Sequence, residues 1–321
     1  MCAGERSADL YAAAFVRRLL EARSDLDVAA VGGDRMGKSG AEIVFDFDRL
    51  MTFGLSESLS AWRRNYACYG QIARLLRSRA GGTFIAVAYP GLNLPLCRLA
   101  KRWSMNVLYL LPPQIWAWGG FRARFVRRWV DLVVSMFPFE ARYYEKVGIP
   151  TALIENPLVG MLSTLKRTDH RRRIGFMPGS RSSHLKRNME LDLHLARFIT
   201  SLRPDIELCF IAADREHAHD MATRQRTLPV LFANRHQLMK NCDLLLVSSG
   251  TASLEAAIMG VTQVFFHRPT LLDDRVLRRF VTTNELNLAN LCFGRHMVPS
   301  YITNDDDRLR LLLEDAVVRY L

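Results

Sequence analysis

Short, unbroken apolar runs alternate along this chain with longer segments whose apolar residues recur at helical spacing. Such alternation predicts parallel strands covered on both faces by helices. In the first half the runs predict strands over 27–31, 43–47, 83–88, 106–110, 132–135 and 151–154. In the second they predict strands over 174–177, 207–212, 230–232, 244–247 and 262–266. Helical spacing predicts helices over 8–23, 62–79 and 94–103, an arginine-rich helix after Trp118, one opening at Pro138, and a terminal amphipathic helix over 309–321. The first helix carries Leu10, Ala14, Val16, Leu19 and Leu20 on its apolar side. A glycine turn at Gly4 precedes it, where a doubly wound sheet would have just left a central strand. No residues remain for that strand, so the start is expected to be truncated or mis-set, or the strand lost. Residues 161–173 are charged and aperiodic and read as a linker. The fold class is therefore α/β, with two Rossmann-like domains, 1–160 and 174–321, facing a cleft that holds the ligand.

Two loops in the second half are built to hold a diphosphate. The run Gly175-Phe176-Met177 breaks into Pro178-Gly179-Ser180-Arg181, a small-residue turn ending in an arginine. Further on, Leu244-Leu245-Leu246-Val247 ends in Ser248-Ser249-Gly250-Thr251, and a helix begins at once. That order points free backbone N–H groups and hydroxyls at an anion beside the positive helix end. Glu255, about one turn further, is placed to accept bonds from ribose hydroxyls. The alternative is an ordinary cap by Ser249 or Thr251, with Glu255 as its capping-box partner.

Composition narrows the partners. A net charge of +12 calls for something anionic: nucleic acid, a membrane surface or phosphorylated substrates. No nucleic-acid signature accompanies the arginines, so no nucleic-acid partner is expected. The six cysteines are widely spaced, without CxxC or Cys/His pairing, and read as reduced core residues of a cytosolic protein. No apolar run is long enough to span a bilayer, so any membrane contact is peripheral. Trp62, Tyr66, Tyr69 and Ile72, with Arg63, Arg64 and Arg74, are one candidate for it; the alternative is a helix packed on the sheet with a solvated basic face. Trp116 and Trp118 read as core or cleft wall, and His184 and His267-Arg268 as solvated side chains with phosphate contact as the other option.

The order of motifs resembles the lipid-A-disaccharide synthase family of GT-B glycosyltransferases over nearly the whole chain. The motifs are Gly4-Glu5-Arg6-Ser7-Ala8-Asp9, Gly32-Gly33-Asp34-Arg35-Met36, Gly54 with Glu57, Trp116-Ala117-Trp118, Phe137-Pro138-Phe139-Glu140, and the two loops above. The resemblance implies inverting, metal-free and cofactor-free transfer of diacylglucosamine from UDP-diacylglucosamine to an acylated sugar phosphate. It implies diphosphate contacts from Ser180, Arg181, Ser249, Gly250 and Thr251, with Glu255 and Asn290 on the nucleoside and sugar. It also implies peripheral attachment to the cytoplasmic face of an anionic inner membrane, and leaves a homodimer open.

Departures from the family pattern fall on the catalytic side. Where the family has Asp-Ala-Pro-Asp-Phe-Asn, with the expected base first, this chain has Ala88-Tyr89-Pro90-Gly91-Leu92-Asn93. Glu155-Asn156-Pro157-Leu158 stands for Gly-His-Pro-Leu, His184 for a glutamate, and Ala8 for a glycine. Glu5, Asp9 and Glu57 are the candidate replacement bases, with Glu155 behind them. Two readings stay open: a transferase with an altered base, or a divergent copy that binds a UDP-sugar or a partner without transfer. An epimerase or a transferase with another acceptor is a third.

Overall fold

A computed structural model describes residues 1–4, 6–46, 59–117, 120–179, 182–269 and 285–321, with backbone alone at 6–7, 59–68 and 182–184. Contacts divide the chain between Pro157 and Leu158. The first unit holds β1 (Cys2–Ala3), β2 (Ala29–Gly32), β3 (Glu42–Asp46), β4 (Thr83–Val87), β5 (Asn106–Leu110), β6 (Leu132–Ser135) and β7 (Thr151–Leu153). They form one seven-stranded sheet in the order β3-β2-β1-β4-β5-β6-β7. The second unit holds β8 (Arg173–Met177), β9 (Glu207–Ile211), β10 (Val230–Leu231), β11 (Leu244–Val247), β12 (Gln263–His267) and β13 (Ser300–Ile302). Their order is β10-β9-β8-β11-β12-β13. Every registered pair is parallel. Each sheet is thus doubly wound, and strand order reverses beside its first strand.

The apolar runs predicted these strands because parallel strands covered on both faces have no polar side. All five residues of β8 and all four of β11 are buried. Four expectations need correcting. The first strand exists: Cys2 and Ala3, both fully buried, lie between β2 and β4, with Cys2 opposite Val31 and Ala86 and Ala3 opposite Val87. This short strand pairs on both sides. The helix after β4 begins at Pro90, not four residues later, since proline's fixed φ and missing N–H suit a first helical turn. The Leu288–Phe293 helix and β13 are short elements that periodicity left unmarked. Tyr69 and Ile72, offered as lipid-facing, pack on the core of the first unit, Ile72 at 3% exposure.

Candidate functional site

In the second unit the two diphosphate-type loops follow β8 and β11, which are neighbours in register from Leu244 opposite Ile174 to Val247 opposite Met177. The reversal of strand order therefore opens where both loops end. Gly179 has φ +90, which an L side chain rarely adopts, and a Cβ there would meet Ser248 Oγ at 3.1 Å. Ser248 N–H and hydroxyl both donate to the Met177 carbonyl, at 3.0 and 3.2 Å. Asn188, which the motifs did not single out, ties the loops together: its Nδ2 donates to the Pro178 carbonyl (2.8 Å) and to Ser248 Oγ (3.2 Å). A buried asparagine two turns into a helix opened by a phosphate-type turn was the available signal.

The Gly250–Ile258 helix starts with Ser249 at its N-cap position, yet the Ser249 hydroxyl makes no capping bond. The capping-box alternative fails too, because Glu255 turns elsewhere: Arg235 Nη2 lies 2.7 Å from Oε2 and His236 Nε2 3.4 Å from Oε1. The first N–H groups of a helix have no intrahelical partner, so this end keeps donors for an anion. Thr251 is exposed, and Ser249 and Gly250 are half-buried. A Cβ on Gly250 would meet Leu288 at 3.3 Å, and the Ser253 hydroxyl donates to Asn287 Oδ1 at 3.1 Å. These contacts set the helix against the Leu288–Phe293 helix and aim its start.

Glu255 is buried, and burial pushes its carboxyl up, but His236 and Arg235 outweigh this and hold it below its ordinary value. It anchors Arg235 and His236, which follow the C-terminal end of β10, a position that marks them in the sequence. His217 joins them; burial first, with Arg235 nearby, holds its imidazole below the ordinary value despite Asp214, Asp220 and the Gly179 backbone. Asn290, expected on the nucleoside and sugar, is bonded within the chain. Its Oδ1 accepts from Met297 and Val298 N–H, both at 2.9 Å, and its Nδ2 donates to Glu285 Oε2 and the Val298 carbonyl. All its polar capacity is used within the chain, so it braces a loop. Ser180 and Arg181 lie outside the described residues.

In the first unit the corresponding reversal lies at the ends of β1 and β4. Ala88 and Tyr89 both have positive φ, 50 and 43, which costs non-glycine residues energy. Five hydrogen bonds pin the turn. Ala88 N–H donates to the Leu110 carbonyl, while the Ala88 carbonyl accepts from Asn93 Nδ2 (2.9 Å) and the Tyr109 hydroxyl (2.8 Å). Asn93 Nδ2 also reaches the Cys2 and Val87 carbonyls. The Tyr89 ring lies on Gly4, where a Cβ would come within 2.6 Å of it. A strained, heavily braced turn thus persists without the carboxylate.

Of the candidate bases, Asp9 is buried and committed. Its Oδ1 accepts from Gly33 (2.9 Å) and Met36 (3.4 Å) N–H and its Oδ2 from Arg35 N–H (3.3 Å), capping the Asp34–Lys38 helix from outside. Gly32 is required beside it, since a Cβ would strike Met36 Sδ. This bonding gives Asp9 a structural duty, which a base at this position would have to give up. Glu5 and Glu57 lie outside the described residues.

The two aromatic motifs do meet. Trp116 Nε1 donates to Glu140 Oε1 (3.2 Å), the Ser135 hydroxyl donates to Oε2 (2.6 Å), and Trp116 packs edge-on against Phe139. Trp116 is core rather than ligand platform at 7% exposure. Burial pushes the Glu140 carboxyl up from 4.5 to about 7, against the two hydrogen bonds. Between those values the folded state keeps a proton that the unfolded chain releases, so stability falls as pH rises. The loss across that window is roughly 3 kcal/mol. Glu140→Gln retains the partners without titrating. In urea unfolding it is expected to be more stable than the parent at pH 8, with the gap closing toward pH 4.5; an equal gap at both would refute the assignment.

Two doubly wound sheets, with anion-type loops at the strand-order reversal of the second, place the chain in the two-Rossmann-domain fold class. Solved structures agree on the fold. The UDP-GlcNAc 2-epimerase of Methanocaldococcus jannaschii, in complex with UDP-GlcNAc and UDP, superposes with a TM-score of 0.57 at 11% identity, over 97% of this chain and 89% of that one. That of Neisseria meningitidis, bound to UDP-GlcNAc, gives 0.52 at 9%, over 91% and 88%. The chain belongs to the Lipid-A-disaccharide synthetase family, whose model matches residues 1–318. The lipid-A-disaccharide synthase of Geobacter metallireducens is 30% identical over 99% of this chain and 86% of its own length. A Legionella pneumophila relative, lipid-A-disaccharide synthase 1, is 27% identical over 96% and 84%.

Proposed function

We propose that this chain is an inverting glycosyltransferase. It moves 2,3-diacylglucosamine from its UDP derivative to 2,3-diacylglucosamine 1-phosphate, forming the β-1,6 disaccharide of lipid A and releasing UDP. The observation that carries the donor half is the pairing of the Pro178-Gly179 turn with the uncapped start of the Gly250–Ile258 helix, locked by Asn188. Backbone N–H groups at Ser249, Gly250 and Thr251, with Ser180 and Arg181, bind the diphosphate and take up the charge that develops as it leaves. Arg235 and His236 are held on Glu255 of the Gly250–Ile258 helix. The acceptor hydroxyl must lose its proton to a carboxylate. With Asp9 committed to backbone N–H groups, Glu5 is put forward: it follows Gly4, against which the Tyr89 ring of the strained turn packs. Glu57 remains the second candidate.

The same reading places the protein on the cytoplasmic face of an anionic inner membrane, where both acylated substrates reside, and leaves self-association as a homodimer to be measured by light scattering. Among the described residues no helix is long and apolar enough to cross a membrane.

UDP release from UDP-diacylglucosamine, with and without the acylated sugar phosphate, tests the proposal. Acceptor-dependent release is expected, falling by roughly 10²-fold or more in Arg181→Ala and by about 10²–10⁴ in Glu5→Gln. No release and no UDP binding by the parent protein would overturn it.

A further inference from the structure

The first unit carries a surface that the transfer reaction does not use. A helical turn at Gly120–Arg122 runs into the Ala123–Trp129 helix. Phe121, Phe125 and Trp129 recur there at intervals of four and form one stripe. Phe121 is 56% exposed, Phe125 and Trp129 are half-buried, and the latter two rings stack with centroids 5.0 Å apart. Guanidinium groups sit over all three rings: Arg122 over Phe121 at 5.7 Å, Arg124 over Phe125 at 4.6 Å, and Arg98 over Trp129 at 5.9 Å.

The stripe borders a cavity of about 470 Å³ lined by Arg98, Lys101, Arg102, Phe125, Arg128 and Trp129. Four of its six walls are cationic. Among the described residues one carboxylate, Asp131, pairs with them, on Lys101 at 2.7 Å, and Arg102, Arg127 and Arg128 have no carboxylate partner there. Arg98 and Arg102 repeat at a spacing of four on the Pro90–Arg102 helix, and Arg124 and Arg128 do so on the next. Basic residues near helix C-termini complement the dipole, but that accounts for neither the exposed Phe121, nor Arg98 a turn inside its helix, nor Arg124 in the first turn of its own, where the dipole disfavours a cation.

We infer that this face docks on a bilayer surface rich in anionic phospholipid, the rings entering at headgroup depth and the cavity cations binding headgroup phosphates. Rings flanked by arginines suit that boundary, because the ring is apolar while the cation stays wet. The net charge of +12 supplies the long-range attraction. The inference rests on the peripheral attachment proposed above and names the surface that carries it. In the 62–79 candidate Ile72 is 3% exposed, and the Trp62 and Tyr66 side chains lie outside the described residues.

Co-sedimentation with vesicles of phosphatidylcholine alone, and with added phosphatidylglycerol, tests both levels. The parent protein is expected to bind only the anionic vesicles, and less as salt rises. Arg98→Gln/Arg102→Gln/Arg128→Gln should weaken partitioning roughly a hundredfold, near fivefold for each cation removed, and Phe121→Ser should weaken it at constant charge. Both variants should retain the parent's UDP release on detergent-dispersed substrates, which also shows that they fold. No binding by the parent protein refutes membrane attachment as a whole. Parent binding matched by both variants refutes only this surface. Displacement by millimolar inorganic phosphate would make the cavity a soluble-phosphate site and overturn bilayer docking.

Discussion

Ala88→Asp is expected to raise the rate of UDP release by about 10²-fold, at the lower end of what a positioned base contributes. The resemblance places a catalytic aspartate at this position, and the fold still holds the site for it. Ala88 sits at φ 50, a region where aspartate and asparagine are several times more frequent than other non-glycine residues. Its N–H is bonded to Leu110 and its carbonyl to Asn93 and Tyr109, so a new side chain meets a backbone already fixed. Aspartate should also relieve strain, so stability should rise by up to about 1 kcal/mol. Ala88→Asn separates the effects: it tolerates the same backbone but takes no proton, and should gain stability without rate. Equal rates in the aspartate and asparagine variants would refute the argument. A faster aspartate variant that no longer needs Glu5 would show that the two carboxylates share one task.

Gly179→Val is expected to lower kcat/KM by about 10²-fold, comparable to removing a donor from a site that stabilises developing charge. The glycine has φ +90, and a Cβ would press on Ser248 Oγ, the hydroxyl that links the two donor loops through Asn188. A β-branched residue should push the loops apart and misplace their N–H groups, with a stability cost of about 1–3 kcal/mol. Gly260→Val is the control. It also has positive φ, 68, but nothing lies within 4 Å of its added Cβ. It should lose similar stability and keep its activity. If both variants lost activity equally, strain alone would explain the loss and the loop-locking role of Gly179 would be refuted.

The alternation of apolar runs with helical spacing carried the fold class, because parallel strands buried on both faces have no polar side to blur the pattern. It placed β5, β6 and β11 to the residue. The same pattern missed β1, β13 and the Leu288–Phe293 helix, each too short to show a period. The donor loops were legible because backbone-built anion sites leave a local record of small residues between a strand and a helix.

Side-chain roles were much less legible. Asp9, Glu255 and Asn290 are polar residues in motif positions, and nothing along the chain tells a ligand contact from an internal brace. That distinction depends on partners distant in sequence. Gly33, Met36 and Arg35 engage Asp9, Arg235 and His236 engage Glu255, and Val298 engages Asn290. Sequence by itself determined two doubly wound units and a diphosphate-type pair of loops, because each is a matter of local periodicity or residue type, and the family resemblance added the carboxylate missing at residue 88. Tertiary structure decided that Asp9 is bonded to backbone N–H groups, that Asn188 joins the loops, and that a strained turn stands at Ala88, because hydrogen bonds are satisfied in space rather than along the chain.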